Sequence, residues 1–346
     1  MKIIVDAHGG DFGLKPNVQA SVDAVNKLGV DIILAGREDE IRNEFKRLGL
    51  KHIPSKTTIQ HCPEIIEMSK EPVEECKNKP NSSIMIGAEL VADKKADAFI
   101  SAGNSGAIMV ASLLKIGRIK GISRPALAIP YPTEKGFSLV LDAGANMDSR
   151  PYHLLQFAIM GSVYMKNIFG ISEPKVGILS IGEEETKGNS LVLETIPLLK
   201  SCNQIRFYGP VEGRDIPAHL VDVVVTDGFT GNVVLKLSEG LSRFILHSVK
   251  KGISKKIIYK IGAFLMKKIF DDLIKKTNPD ELGAVPLLGI NGIVLVGHGR
   301  TTSKAIFAAI KNAKNVVSQN LIEKIKFEIE KNIEVSKMTN LGGVAE

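Results

Sequence analysis

Cysteine and aromatic residues are scarce in this chain of 346 residues. The three cysteines, Cys62, Cys76 and Cys202, are too few and too scattered for a disulfide framework or a cysteine-built zinc site, and they suit a reducing, cytoplasmic compartment. There is no tryptophan and there are only five tyrosines, which argues against an aromatic recognition surface. No apolar run approaches the 18 or so residues of a membrane-spanning helix. The opening stretch MKIIVDAHGGDFG reads as a strand entering a loop, not as a signal peptide. Three chemical signatures are missing as well. Without G-x-G-x-x-G there is no standard dinucleotide fingerprint, and without G-x-x-x-x-G-K-[ST] there is no P-loop. With no G-x-S-x-G elbow, and with Cys62 and Cys202 in structural settings, there is no evident covalent nucleophile, so the simplest chemistry is direct attack by one bound substrate on another.

Glycine, by contrast, is plentiful, at 32 residues. Short apolar, β-branched runs alternate with helical stretches along most of the chain. Ten strands are expected, at residues 2–6, 31–35, 57–61, 98–101, 126–130, 138–142, 175–180, 206–208, 222–226 and 292–296. Such alternation predicts a doubly wound, mostly parallel sheet in an α/β/α sandwich. Residues 1–330 read as one domain without a convincing internal boundary, and residues 331–346 read as a loose tail.

Ligands of open α/β sheets bind at the carboxyl ends of the strands. Here those ends carry Asp6-Ala7-His8-Gly9-Gly10-Asp11, Ser101-Ala102-Gly103-Asn104-Ser105-Gly106, Asp142-Ala143-Gly144-Ala145-Asn146, Gly182-Glu183-Glu184-Glu185-Thr186-Lys187-Gly188-Asn189, Thr226-Asp227-Gly228-Phe229-Thr230-Gly231-Asn232 and Gly297-His298-Gly299-Arg300. Glycine lets backbone N–H groups approach an anion, and a helix N-terminus adds donors and a favourable dipole. Six such loops predict a site for anionic or carbonyl groups, with Asp6, Gly9, Gly10, Gly103, Asn104, Ser105, Gly106, Asn146, Gly231 and His298 as candidate substrate or phosphate contacts. Each loop taken alone is also ordinary turn chemistry. Lys187, after three glutamates, either holds a phosphate or oxyanion or merely neutralises its neighbours. Asn232 either points at a substrate carbonyl or caps a helix.

The net charge of +7 is concentrated. Residues 242–278 contain ten basic and two acidic side chains, a local +8, so the rest of the chain carries −1. Within residues 240–280, Ile257, Ile261, Phe264, Leu265 and Phe270 fall near helical spacing among Lys255, Lys256, Lys260, Lys267 and Lys268. This predicts a basic amphipathic helix, entered after a break at Gly252–Ser254 with Ser254 as its cap. It either docks on the core or a second subunit, or meets an acidic protein or anionic lipid surface. Nucleic acid is disfavoured, because the charge is confined to one apolar-striped segment.

At the strand-end loops the sequence resembles the bacterial phosphate acyltransferase family (PlsX). The stretches that carry the resemblance are VDAHGGD (5–11), SAGNSGAIM (101–109), DAGANMD (142–148), HLLQFAIMGSVY (153–164), IGEEETKGN (181–189), VEGRDI (211–216), DGFTGNVVLK (227–236) and PLLGINGIVLVGHG (286–299). His8 stands where that family usually has methionine, Met147 where valine is common, and Leu282-Gly283-Ala284-Val285 departs from an expected Tyr-Gly-Gly-Ala. The resemblance implies a fold similar to isocitrate dehydrogenase and phosphotransacetylase. It implies transfer of an acyl group from acyl carrier protein (ACP) to inorganic phosphate, with Lys187 and Asn232 catalytic; no cofactor is expected, and no His/Asp/Glu cluster in the sequence suggests a metal. It further implies a homodimer, loosely attached to the cytoplasmic membrane, whose acyl phosphate feeds a membrane acyltransferase. Two readings compete. One is a phosphotransacetylase-like enzyme using acyl-coenzyme A; the other is a non-catalytic membrane scaffold for lipid-synthesis enzymes.

Overall fold

The computed structural model describes residues 1–277 and 283–340. Its strands fall into two sheets. The larger runs in the order β3 (Thr57–His61), β2 (Asp31–Gly36), β1 (Lys2–Asp6), β4 (Ala98–Ser101), β12 (Ile293–Gly297), β11 (Ala284–Leu288), β5 (Ala126–Leu127). Its first five strands are parallel, and β11 is antiparallel to both neighbours. The smaller sheet runs β6 (Ile129–Thr133), β7 (Gly136–Leu141), β10 (Val223–Val225), β8 (Lys175–Leu179), β9 (Arg206–Val211), parallel except for the β6–β7 hairpin.

Both sheets are covered on two faces, which is why their strands are almost wholly apolar. In β1, Ile3 and Val5 pack with Val18 and Val22 of α1 (Leu14–Leu28) and Ile306 and Ile310 of α12 (Ser303–Ser318). Ile4, pointing the other way, joins Ile84 and Ala88 of α4 (Ser83–Ala92) and Ile108 of α5 (Ser105–Ala111). In the smaller sheet, Leu139, Leu141, Val223 and Val225 pack under α6 (Pro151–Phe169), α7 (Ser190–Ser201) and α13 (Leu321–Asn340). Val140 and Val224 face a smaller cluster, against which Val234 packs.

The expected strands recur with small shifts at their ends, and three features differ. The single strand expected over residues 126–130 is two, β5 and β6, separated by Ala128 and assigned to different sheets. Residues 284–288, where no strand was expected, form β11; its Pro286 carbonyl accepts from Ala128 N at 3.1 Å. The final helix runs on to Asn340, so residues 331–340 are helical where a loose tail was expected, and residues 341–346 lie outside the described residues.

The basic segment departs from its expected form as well. Helix α9 (Gly228–Ser254) is 27 residues long and buries only Gly228 and Gly231. Ser254 ends it, bonding back to Lys251 O at 2.8 Å, and does not cap the next helix. Lys256 occupies that N-cap without a side-chain bond, and the expected single helix divides at Met266 into α10 (Ile257–Leu265) and α11 (Lys267–Thr277). No residue of α10 is buried. Among the described residues, no helix is long and apolar enough to cross a membrane.

Candidate active site

Parallel register sets the candidate loops side by side. In the larger sheet Val5 pairs with Ile100, and Ile100 with Leu295, so the loops after β1, β4 and β12 leave the sheet at one level. Asp6, almost fully buried at the end of β1, organises them. Its Oδ2 accepts from Ser101 Oγ at 2.7 Å and its Oδ1 from His8 N at 3.1 Å, and Ser101 Oγ in turn accepts from Gly103 N at 3.0 Å. Gly9 belongs here for want of space: a Cβ on it would stand 2.9 Å from both Ala102 N and Asp6 Oδ2. Gly10 takes φ +95°, and a Cβ there would meet Gly299 O. Asp6, Gly9, Gly10 and Gly103 line one small crevice together with Ile65, Ile66, Met68 and Ile84. Asp11 N donates to Gly299 O at 2.6 Å, which ties the His298 loop to the same edge; His298 is exposed, with Nδ1 accepting from Arg300 N.

Two other candidates of this group have structural duties. Asn104 caps α5, its Oδ1 accepting from Ala107 N at 3.1 Å. Its amide donates to the carbonyls of Glu67, Met68 and Lys70 at 3.1–3.3 Å, which leaves no free donor for a ligand. Gly106 is the close-packing point of α5 on Pro72. Ser105 stays exposed at the first position of α5. His8 lines the same crevice. Its ring packs on Gly36, and its Nε2 accepts from Arg37 N at 3.0 Å. Burial holds its pKa below the usual 6.5, and Arg37 adds to that, against the opposing pull of Asp6 and Glu40.

The second group forms on the smaller sheet, where Val225 pairs with both Leu141 and Ile178. The loops after β7, β10 and β8 are therefore neighbours, on strands about 4.8 Å apart. Asp142 is their hub and is fully buried. Its Oδ1 accepts from Leu127 N and Ala145 N at 2.9 and 3.0 Å, and its Oδ2 from Asn146 N and Asn146 Nδ2 at 2.7 and 2.9 Å. Burial pushes this carboxyl group up while those bonds pull it down, and burial is the larger cause. Asn146 spends its amide on Asp142 and on Pro125 O at 2.7 Å, so it is a brace between the sheets. Residues 125–127 lead into and form the edge strand of the larger sheet, so the 142–146 loop joins the two groups; Ala145 packs against the cluster holding Ala107 and Ile108 of α5. Asp142 is the residue that sequence reasoning undervalued; its one signal was its place at the head of a glycine-rich strand end.

Helix α9 starts on this brace. Gly228 N donates to Asn146 O at 2.9 Å, and a Cβ on Gly228 would lie 2.3 Å from that oxygen. A Cβ on Gly231 would lie 1.9 Å from Asp142 O. Asp227 is the cap, its carboxylate accepting from Thr230 N and Thr230 Oγ1 at 2.8 and 2.7 Å. Asn232 is thus released from capping; it is exposed one turn into the helix, 3.6–3.8 Å from where a Cβ of Gly144 would be. Lys187 is exposed on the neighbouring loop, positioned by Lys187 N to Glu184 O at 2.9 Å and by Ser180 Oγ to Lys187 O at 3.0 Å. Two of its three acidic neighbours take other partners: Glu185 pairs with Lys200 at 2.6 Å and Glu183 with Arg214 at 3.4 Å. Among the described residues Lys187 makes no ion pair. The arrangement is an uncommitted cation and an uncommitted amide on adjacent parallel-strand loops, over glycine-rich backbone.

Residues 1–324 match the family described as fatty acid synthesis protein. The chain belongs to that family. Relatives within reach of it include the phosphate acyltransferase of Elusimicrobium minutum, 48% identical over 95% of this chain and 96% of that protein, and that of Desulfitobacterium hafniense, 44% identical over 95% and 98%. Among solved structures, a phosphotransacetylase from Streptococcus pyogenes superposes with TM-score 0.64 at 17% identity, covering 91% of this chain and 94% of that one. A branched-chain phosphotransacylase from Enterococcus faecalis gives 0.55 at 12%, covering 91% and 99%. These likenesses establish the family's fold as that of the phosphotransacetylases. The basic residues Lys255, Lys256, Lys260, Lys267 and Lys268, with Phe264 and Leu265, are all exposed, at the junction of α9 and α10 and on α10 and α11.

Proposed function

We propose that the chain transfers a fatty acyl group from acyl-ACP to inorganic phosphate, giving an acyl phosphate for phospholipid synthesis. Family membership makes it an acyltransferase whose acceptor is phosphate; the ACP donor and the residue roles are our own reading. Phosphate oxygen attacks the thioester carbonyl, a tetrahedral oxyanion forms, and the C–S bond breaks to release the ACP thiolate, which takes up a proton. Both thioester and acyl phosphate are activated acyl groups, so the exchange needs no nucleotide. Catalysis reduces to holding two substrates together, which can supply roughly 7–11 kcal/mol, and to stabilising the oxyanion, where one donor is worth about 10²–10³ in rate.

Lys187 orients phosphate and offsets its charge, and Asn232 with the amides at the start of α9 receives the oxyanion. The observation that carries this reading is that Asp227, not Asn232, caps α9, while Glu183 and Glu185 pair elsewhere and leave Lys187 uncommitted. The loops at Asp6–Gly10 and Gly103–Gly106, with that of His298, line the approach. The test is purified protein with palmitoyl-ACP and phosphate, scored as hydroxylamine-trappable acyl phosphate. Lys187→Ala should lose at least a hundredfold in kcat, and near-normal turnover would remove Lys187 from the mechanism. Palmitoyl-CoA run in parallel discriminates the alternative donor, and absence of turnover with both donors would favour the scaffold reading.

The α10–α11 segment serves a second purpose in this reading, reversible contact with anionic membrane or with ACP, itself acidic. Phe264 and Leu265 are 75% and 79% exposed beside Lys260, Lys267 and Lys268, an amphipathic surface of the interfacial kind. A homodimer at the cytoplasmic face, handing acyl phosphate to a membrane acyltransferase, completes it. Reversing Lys255, Lys256, Lys260 and Lys267 to glutamate should abolish sedimentation with anionic vesicles or raise the KM for ACP; neither change would make the segment purely structural.

A further inference from the structure

The chain has ten arginines, and their pairing is uneven. Seven lie within 4.0 Å of a carboxylate oxygen. The other three, Arg118, Arg124 and Arg150, make no ion pair among the described residues, and all three are exposed. They belong to one patch. Arg118 donates to Ser123 O, next to Arg124. Burial lowers the pKa of His153, in the first turn of α6, and Arg124 and Arg150 both lower it further, so the two guanidinium groups flank one ring. Lys120, exposed and likewise without an ion pair among the described residues, is a fourth cation. Asp148 is the one acidic side chain in residues 117–125 and 147–153. The backbone beneath the patch is pinned. Ile119 and Ile122 are buried in the core, and Ile119 N donates to Gly289 O at 2.9 Å. Gln156 of α6 accepts from Ser123 N at 2.8 Å and donates to Gly121 O at 2.6 Å.

We infer that this patch, Arg118, Lys120, Arg124 and Arg150, is the docking surface for the acidic protein that carries the acyl group. The inference rests on the acyl-transfer reading above, and within it assigns ACP to this patch and leaves α10–α11 to the membrane. Chemistry and place identify the occupant. A guanidinium group matches a carboxylate with paired donors, and every arginine without a carboxylate partner is here. Four exposed cations on two segments form a surface, not a seat for one small ion, so the partner presents several carboxylates at once. A pinned backbone reduces the ordering cost of such a contact. The patch also adjoins the reacting groups. Pro125 O, next to Arg124, accepts from Asn146 Nδ2 at 2.7 Å, Asn146 O accepts from Gly228 N at 2.9 Å, and Asn232 follows one turn up α9. Within one chain, α10 begins only beyond Ser254, about 33 Å along α9 from Asn232. Anionic lipid is the competing occupant of the patch, and the test separates the two.

The experiment measures acyl phosphate formation from palmitoyl-ACP in the wild type, in the double variant Lys120→Glu with Arg124→Glu, and in Arg150→Glu on the other segment. Tm and sedimentation with phosphatidylglycerol vesicles are recorded for each. The substituted side chains are exposed, and none is assigned to the chemistry. The expected result is a KM for palmitoyl-ACP raised about tenfold in the double variant and raised, by less, in Arg150→Glu. Values of kcat, the KM for phosphate and vesicle sedimentation should stay as in the wild type. Added salt should raise the wild-type KM toward that of the reversed enzymes. An unchanged KM for palmitoyl-ACP in either folded variant overturns the docking surface. Loss of vesicle sedimentation at constant KM also overturns it, and assigns the patch to the membrane. A fall in kcat alone overturns it too, and makes the patch a support of the 142–146 loop. Reversal of Lys255, Lys256, Lys260 and Lys267 should leave the KM for palmitoyl-ACP unchanged; a rise there, with none in the patch variants, returns ACP to α10–α11. If the wild type converts palmitoyl-CoA alone, or neither donor, the ACP reading itself fails, a result distinct from an unchanged KM in an active enzyme.

Discussion

The contact between Gly231 and Asp142 is the tightest test of how the fold positions the site. A methyl group at residue 231 would stand 1.9 Å from Asp142 O, whereas real Cβ contacts essentially never fall below 3.0 Å. The start of α9 and the 142–146 loop must therefore separate by about 1.1 Å in Gly231→Ala. Neither side yields easily. Asp142 is held by Leu127, Ala145 and Asn146, and α9 is held by Asp227 and by Gly228 N on Asn146 O. Asn232 follows Gly231 directly, so the displacement reaches the amide assigned to the oxyanion. A misplacement of about 1 Å costs on the order of a hundredfold in rate, and overpacking costs about 1–3 kcal/mol in stability. The assay is kcat for acyl phosphate formation alongside thermal unfolding. Gly240→Ala on the same helix is the control: a Cβ there meets nothing within 4 Å, and replacing a mid-helix glycine should stabilise by up to about 1 kcal/mol. A folded Gly231→Ala enzyme with kcat within threefold of wild type would refute the claim that this contact sets Asn232.

Two further outcomes follow from side chains that hold the loops. Asn104→Ala removes the α5 cap and the amide bonds to Glu67, Met68 and Lys70; it should destabilise by about 2 kcal/mol, read as a lower Tm and as faster proteolysis within residues 67–70. His8 is an acceptor for Arg37 N and has a depressed pKa, burial being the main cause, so its stabilising contribution is complete above pH 6.5 and is lost as pH falls through the folded-state value. Between pH 7.5 and pH 5 the wild type should lose more Tm than His8→Gln, and parallel curves for the two proteins would show that His8 does not couple protonation to folding.

Much of the site was legible because glycine demand is local. The stretches after β1, β4, β7, β8 and β10 advertise tight turns and close backbone approach, and parallel pairing then brings them to common edges without further information. The division into two sheets was not legible, since β5 and β6 are separated by Ala128 alone and nothing in five apolar residues says that the chain changes partners there. Pro286 concealed β11 because a proline argues against an inner strand, yet this strand is antiparallel to both neighbours and needs only its carbonyl at that position.

The amide residues carry the sharper lesson. Asn104, Asn146 and Asn232 look alike in sequence, each beside glycine-rich turns. Their difference lies in hydrogen-bond accounting over distant residues: Asn104 is consumed by carbonyls at 67–70, Asn146 by Pro125 and Asp142, and Asn232 is relieved of capping by Asp227. The same accounting draws two of the three glutamates before Lys187 elsewhere, because Lys200 and Arg214, brought in from α7 and from the turn after β9, take Glu185 and Glu183. A buried polar group must be paired, so groups that stay uncommitted at a strand-end edge are the ones a substrate can recruit. Among the candidates this leaves the side chains of Lys187, Asn232 and the exposed Ser105 uncommitted within the described residues, and it makes Asp227 the residue that frees Asn232 from capping.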